Sequence, residues 1–182
     1  MIIFMGVAGT GKSTQGRMIA DELGLPWVST GEFLRMLIAG ERRKDMQEGK
    51  LLEDQEIIAL VRKVFGVIDT EHEFILDGFP RTVTQADWLL NQYKHGQLKI
   101  TAVIHLKASE KGVTDRLLLR GRPDDTDAAI RERLREYEEQ ALPILNDFKN
   151  AGVLVCDINA EQAIGEVHAD ILKALKSTTN AE

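Results

Sequence analysis

The chain has 182 residues, 43% of them hydrophobic, and a formal net charge of −6. That length and apolar content fit one compact domain with a real core, and the acidic balance argues against a general nucleic-acid or membrane-surface binder. The lone cysteine, Cys156, cannot form an internal disulfide and lies in an apolar run, so a core thiol in a reducing cytoplasm is expected.

In chain order, Ile2-Ile3-Phe4-Met5 is the first predicted element, a short apolar run that reads as a buried strand. No secretory signal is expected, because this strand runs straight into the next motif. That motif, Gly6-Val7-Ala8-Gly9-Thr10-Gly11-Lys12-Ser13-Thr14, satisfies G-x-x-x-x-G-K-[ST]. Met18, Ile19 and Leu23 then recur at helical spacing until Gly24 closes the segment. A strand, a glycine-rich turn and a helix start aim backbone N–H groups and the positive end of a helix dipole at one point, which stabilises a polyphosphate. Lys12 would reach the β- and γ-phosphates, and Ser13 or Thr14 the Mg²⁺ shell.

Further strand candidates are Trp27-Val28, Phe74-Ile75-Leu76, Ile100 to Leu106 and Val153 to Cys156, with segments of helical period between them. Strands alternating with helices predict a doubly wound α/β sheet, its parallel strands covered on both faces. Two stretches break the alternation. One runs from about Thr30 to Val61, with two or three helical segments and no convincing strand; the other is the polar loop Arg120-Gly121-Arg122-Pro123-Asp124-Asp125-Thr126. Both are expected at the sheet's ligand edge, as lids. Ile130, Leu134, Tyr137, Ala141 and Leu145 then form one apolar face of a long helix whose other faces carry Arg131, Arg133 and Arg135. The polar tail from Ser177 is expected to fray.

In this order the motifs resemble those of the nucleoside monophosphate kinases, adenylate kinases in particular, from Ile3 to about Ile171. The phosphate loop through Gln15 is the first. Ser29-Thr30-Gly31-Glu32-Phe33-Leu34-Arg35 is similar to S-T-G-D-x-L-R, and Gly49-Lys50-Leu51-Leu52 with Asp54 to G-x-L-V-x-D-E. The most distinctive element is Leu76-Asp77-Gly78-Phe79-Pro80-Arg81-Thr82 followed by Gln85. Arg120, Arg122 with Asp124-Asp125, and Arg131-Glu132-Arg133-Leu134 resemble the family's lid and its trailing helix.

The resemblance implies a P-loop NTPase-type three-layer α/β fold with a five-stranded parallel sheet. Its core would span about 1–29, 62–119 and 128–182, with a helical NMP-binding lobe at about 30–61 and a short lid at about 120–127. It implies Mg²⁺-dependent transfer between ATP and AMP, giving two ADP, by a cytoplasmic monomer that engages no nucleic acid or membrane. Lys12, Arg81, Arg122 and Arg133 would be catalytic. ATP would meet Gly9, Thr10, Gly11, Lys12, Ser13, Thr14, Arg116, Arg120 and Gln162. AMP would meet Thr30, Arg35, Lys50, Leu51, Leu52, Gly78, Phe79, Pro80, Arg81 and Gln85, with Arg122 and Arg133 clasping both phosphate chains. Ser13 and Asp77 would serve Mg²⁺, directly or through water; a helix or turn cap is the other reading of Asp77.

Departures from the family pattern concern base choice and lid mechanics. The lid has no Cys/His cluster, so no structural zinc is expected, and the four histidines lack metal-ligand spacing. Ser13 stands where the family has glycine, Glu32 where it has aspartate, Leu52 where it has valine and Gln162 where some relatives have lysine. Pro123 stiffens the lid tip. A UMP or CMP kinase, a small-metabolite kinase and a nucleotide-binding module without turnover are the alternatives.

Overall fold

Alternation along the first strand sets the layers. Ile2 and Phe4 point to one face, Ile3 and Met5 to the other, and all four are buried. A strand apolar on both faces needs cover on both, and helices supply it. The computed structural model describes residues 1–37 and 53–179; Lys50, Leu51 and Leu52 of the expected acceptor site lie outside the described residues.

The described elements are β1 (Ile2–Met5), α1 (Lys12–Leu23), β2 (Trp27–Ser29), α2 (Thr30–Leu37), α3 (Asp54–Phe65), β3 (Ile75–Asp77) and α4 (Val83–Lys94). They continue with β4 (Ala102–Lys107), α5 (Glu110–Arg120), α6 (Asp127–Glu136), a π-helical turn (Tyr137–Ala141), α7 (Leu142–Asn150), β5 (Val155–Asn159) and α8 (Ile164–Thr179). The strands form one parallel sheet in the order β2-β3-β1-β4-β5, the α/β architecture expected from the alternation. Ile3, Leu76 and Val103 pack with residues of α3, α4 and α7 on one face. Phe4, Ile75 and Ile104 pack with α1 and α8 on the other. Among the described residues no helix is long and apolar enough to cross a membrane.

Three expectations are corrected. The last strand is not Val153 to Cys156 but Val155–Asn159. The Val153 N–H closes the preceding turn onto Phe148 O at 2.9 Å, so the apolar run begins before the strand does. Cys156 is accordingly only partly buried at this sheet edge, and burial together with neighbouring Asp157 raises its thiol pKa. The single long helix from Ile130 to Leu145 is broken by the π turn, where the Leu142 N–H reaches back five residues to Tyr137 O. Pro143 lies in the first turn of α7, the one place where its missing N–H is harmless; the wider turn lets the helix restart there.

Beside the sheet edge, the Arg17 guanidinium lies over the Trp27 ring, 4.4 Å from its centroid, and donates to Glu32 Oε1 at 2.5 Å. The longer side chain at position 32 thus ties α2 to α1. Trp88 sits elsewhere, packed against Phe65 and Phe79.

Candidate active site

The loop after β1 turns at Gly6, Gly9 and Gly11 through positive φ values that favour glycine. Gly6 has φ 141°, and a Cβ there would meet the Leu106 backbone oxygen at 2.6 Å, so this glycine answers to close packing against β4. The Lys12 ammonium lies in the loop's concavity and donates to Gly6 O at 2.6 Å and Val7 O at 2.8 Å. Burial lowers its pKa to about 8, Asp77 pulling the other way and Arg81, Arg120 and Arg133 reinforcing the depression. Next along α1, Ser13 Oγ donates to Asp77 Oδ2 at 2.6 Å. Gln15 is buried and donates to Ile164 O at 2.8 Å, tying α1 to the start of α8.

The end of β3 builds the opposite wall. Asp77 is buried there, and its carbonyl accepts from Thr30 Oγ1 at 3.2 Å. Gly78 turns the chain with φ 84°; a Cβ would meet Thr30 Oγ1 at 2.9 Å and Arg81 Nη2 at 3.1 Å. The Phe79–Pro80 peptide is cis. Arg81 Nε donates to Gly78 O at 2.8 Å. Burial lowers the pKa of Arg81 against the pull of Asp77, and burial with nearby Arg122 lowers that of Arg35; both guanidinium groups remain cationic at physiological pH. Thr82 caps α4 by accepting from the Gln85 N–H. The Gln85 amide is held at both ends: Oε1 accepts from the Arg81 N–H at 2.9 Å, and Nε2 donates to Asp54 Oδ1 at 2.8 Å. Thr82 Oγ1 donates to the same oxygen at 2.7 Å. One N–H and one lone pair of that amide have no partner among the described residues.

Arg120, Arg122 and Arg133 are held by two aspartates. Arg120 binds Asp125 with two parallel bonds of 2.8 and 2.5 Å, and the Arg122 N–H donates to it at 3.1 Å. Arg133 reaches Asp124 at 2.5 Å and Asp125 at 3.2 Å. The Asp125 carboxylate is wholly buried. Burial alone would raise its pKa, but the Arg120 bonds and the Arg122 N–H outweigh that and hold it below the usual carboxylate range. Carboxylate pairing holds the Arg120 and Arg133 guanidinium groups in place.

One cavity of about 590 Å³ unites these parts at the carboxyl ends of β1, β2 and β3. The structure brings to it Gly9, Thr10, Gly11, Lys12, Ser13, Thr14, Arg116, Arg120 and Gln162, and also Thr30, Arg35, Asp77, Gly78, Pro80, Arg81, Gln85, Arg122 and Arg133. Phe79 is the exception among the expected cleft-lining residues. Its side chain is fully buried in the core, edge-on to Trp88 at 5.9 Å, because an aromatic ring at a strand end gains more from packing than from a polar cleft. Residues that sequence reasoning missed are Leu34 and Ile57, apolar walls near Gln85, and Glu136 and Tyr137 near the π turn. Ile57 lies one helical turn after Asp54, and that spacing could have pointed to it.

A family model described as adenylate kinase matches residues 4–153. The chain is 38% identical over 184 residues to adenylate kinase 1 of Synechocystis sp., covering 96% of both chains. It is 35% identical to the adenylate kinases of Corynebacterium urealyticum and Leptospira biflexa, covering 96% of this chain and 98% of each relative. With this fold, this cleft and these likenesses, the chain belongs to the adenylate kinase family of phosphotransferases.

Proposed function

We propose that the chain transfers the γ-phosphoryl group of ATP to AMP, reversibly and with Mg²⁺, giving two ADP. The observation that carries this reading is the single cavity on which Lys12 and six arginines, Arg35, Arg81, Arg116, Arg120, Arg122 and Arg133, converge. Phosphoryl transfer passes through a loose, highly anionic transition state, so positioning and charge stabilisation do most of the work.

In this reading the loop from Gly9 to Thr14 cradles the donor phosphates, Arg116 and Gln162 lie at the donor base, and Arg120 contacts the triphosphate. Arg35, Arg81 and Thr30 hold the monophosphate. Arg122 and Arg133 span both chains. Lys50, Leu51 and Leu52 complete the acceptor pocket with Gly78, Pro80 and Gln85. The free N–H and lone pair of Gln85 match adenine N1 and its 6-amino group, with Leu34 and Ile57 against the ring. The paired Ser13 hydroxyl and Asp77 carboxylate are hard oxygen donors suited to Mg²⁺ or its waters. Bound there, the ion would neutralise phosphate charge and hold the transferring group in line. No general base is required, since the attacking group is already an anionic oxygen; the lobe at about 30–61 and the lid at about 120–127 would close to exclude water. We place the enzyme in the cytoplasm as a monomer.

The test is a coupled ADP-release assay with ATP and Mg²⁺ against AMP, UMP, CMP and GMP. Turnover with AMP well above the others is expected. Preference for a pyrimidine would overturn the acceptor assignment, and no turnover despite ATP binding would overturn the enzymatic one. Arg81→Ala separates the two halves of the cleft. By calorimetric titration it is expected to weaken AMP roughly 30-fold and ATP less than about threefold, the scale of a lost charge-assisted contact. Equal weakening of both would remove Arg81 from the monophosphate.

A further inference from the structure

Three side chains beside the cleft have no part in the proposed transfer, yet they are joined to one another. His105, buried on β4, bonds through Nδ1 to Asp157 Oδ1 on the paired strand at 2.7 Å and through Nε2 to the Tyr137 hydroxyl. The His105 and Tyr137 rings stack with centroids 6.2 Å apart. Tyr137 opens the π turn, and its backbone N–H donates to Arg133 O. With Glu136 it also forms part of the cleft wall. A continuous set of contacts therefore runs from the edge of the sheet to the helix that carries Arg133.

Hydrogen-bond chemistry fixes the direction of each link. An ionised carboxylate only accepts, so Nδ1 carries the ring proton; Nε2 of the neutral ring then accepts from the phenol. Burial pushes the His105 imidazole down, outweighing its bond to Asp157, and Lys107 on β4 and Lys149 on α7 push the same way. Burial raises the Tyr137 phenol. Both groups are thus neutral at neutral pH. A polar chain centred on a buried imidazole, with every link assigned, has one arrangement, whereas apolar packing at a π turn would tolerate several.

We propose that His105 and Tyr137, backed by Asp157, are positioning residues for phosphoryl transfer: their relay pins the π turn to the sheet and so sets the reach of Arg133 into the cleft. The inference rests on the reading of Arg133 as a phosphate-clasping residue. Losing one link frees the turn, and a small displacement of a catalytic guanidinium lowers kcat with little effect on ground-state binding.

The experiment compares kcat, both nucleotide KM values and pH profiles for the wild type, Tyr137→Phe, His105→Gln and Arg133→Ala. It adds a ring-nitrogen NMR spectrum of wild-type His105. Tyr137→Phe keeps the stacked ring and removes the link; kcat is expected to fall about tenfold, with both KM values within about twofold. A glutamine amide can donate to Asp157 and accept from Tyr137 but does not titrate, so His105→Gln is expected to keep kcat within about threefold. The wild type should lose rate relative to His105→Gln on the acid side of the ordinary imidazole range, as His105 charges and Nε2 becomes a donor. The spectrum should show the Nδ1–H tautomer. Wild-type kcat in Tyr137→Phe beside a large loss in Arg133→Ala would overturn the relay and leave the functional reading standing. Wild-type kcat in Arg133→Ala would overturn both. An Nε2–H tautomer would overturn the relay without any variant, which decides the matter even where a substitution unfolds the chain.

Discussion

Replacing Lys12 with methionine is expected to cut turnover by on the order of 10³-fold, as loss of a preorganised cation at a transferring phosphoryl group does. The same change is expected to raise the melting temperature of the nucleotide-free protein. The ammonium sits among three guanidinium groups at the cleft floor, and its pKa is lowered from 10.5 to about 8. Because the unfolded chain holds this proton more tightly, stability rises with pH between about 8 and 10.5, and at neutral pH the charge costs stability. That shift corresponds to roughly 3 kcal/mol, which the solvent reaching the open cleft reduces to about 1–2 kcal/mol, or a few degrees in a chain of this size. Of the two carbonyls that Lys12 leaves, Val7 O still accepts from Thr10 Oγ1 at 2.9 Å, and Gly6 lines the open cavity, where water can replace the lost bond. Calorimetry and the ADP-release assay on one preparation check both halves. The gap in melting temperature should close as pH rises from 8 to 10.5; a variant that melts below the wild type at pH 7 would refute the account of Lys12 as a strained cation.

Arg133→Ala is expected to lower kcat by on the order of 10³-fold, the scale at which a single transition-state arginine acts in phosphoryl transfer, with a much smaller change in either KM. Its guanidinium is held by Asp124 and Asp125, so its orientation is fixed in advance and needs little rearrangement at the moment of reaction. The fold should survive, because Asp125 keeps both bonds to Arg120 and the Arg122 N–H. Arg133→Lys is expected to recover little, since a point charge cannot span the two aspartates. Single-turnover kinetics separate the chemical step from release. A proportional loss in binding and rate would instead make Arg133 a ground-state contact.

How much of this was legible depended on whether the signal was local. The phosphate loop could be read because strand, turn and helix start are contiguous and their chemistry is carried by glycines and one lysine. The central strands could be read because burial on both faces leaves an unbroken apolar run, as at Ile75 and Leu76. The π turn could not: Tyr137, Ala141 and Leu145 keep a four-residue spacing whether or not one extra residue is wound into the turn. The inward turn of the Phe79 side chain was not legible, because a motif records which residue types recur and not which of them face the cleft. His105 gave no signal, since Tyr137 and Asp157 lie 32 and 52 residues away and meet it only through the sheet register. The pairing of Asp124 and Asp125 with the arginines was visible as composition, but their role as internal counterions needed the geometry.

The Arg17 bridge between Trp27 and Glu32 makes one of the two tryptophans an optical gauge. Indole emission is sensitive to a cation on the ring face, and this cation is tethered to α2 through Glu32. A displacement of α2 relative to α1 is therefore expected to disturb the cation on the Trp27 ring. Trp88 on α4 is packed against Phe65 and Phe79 and has its own cation, Arg62 of α3, 5.8 Å from its ring centroid, so it carries a separate signal. Should α2 move in the proposed closure, Trp27 emission is expected to report it in the unlabelled protein, with Trp27→Phe isolating the contribution of Trp88.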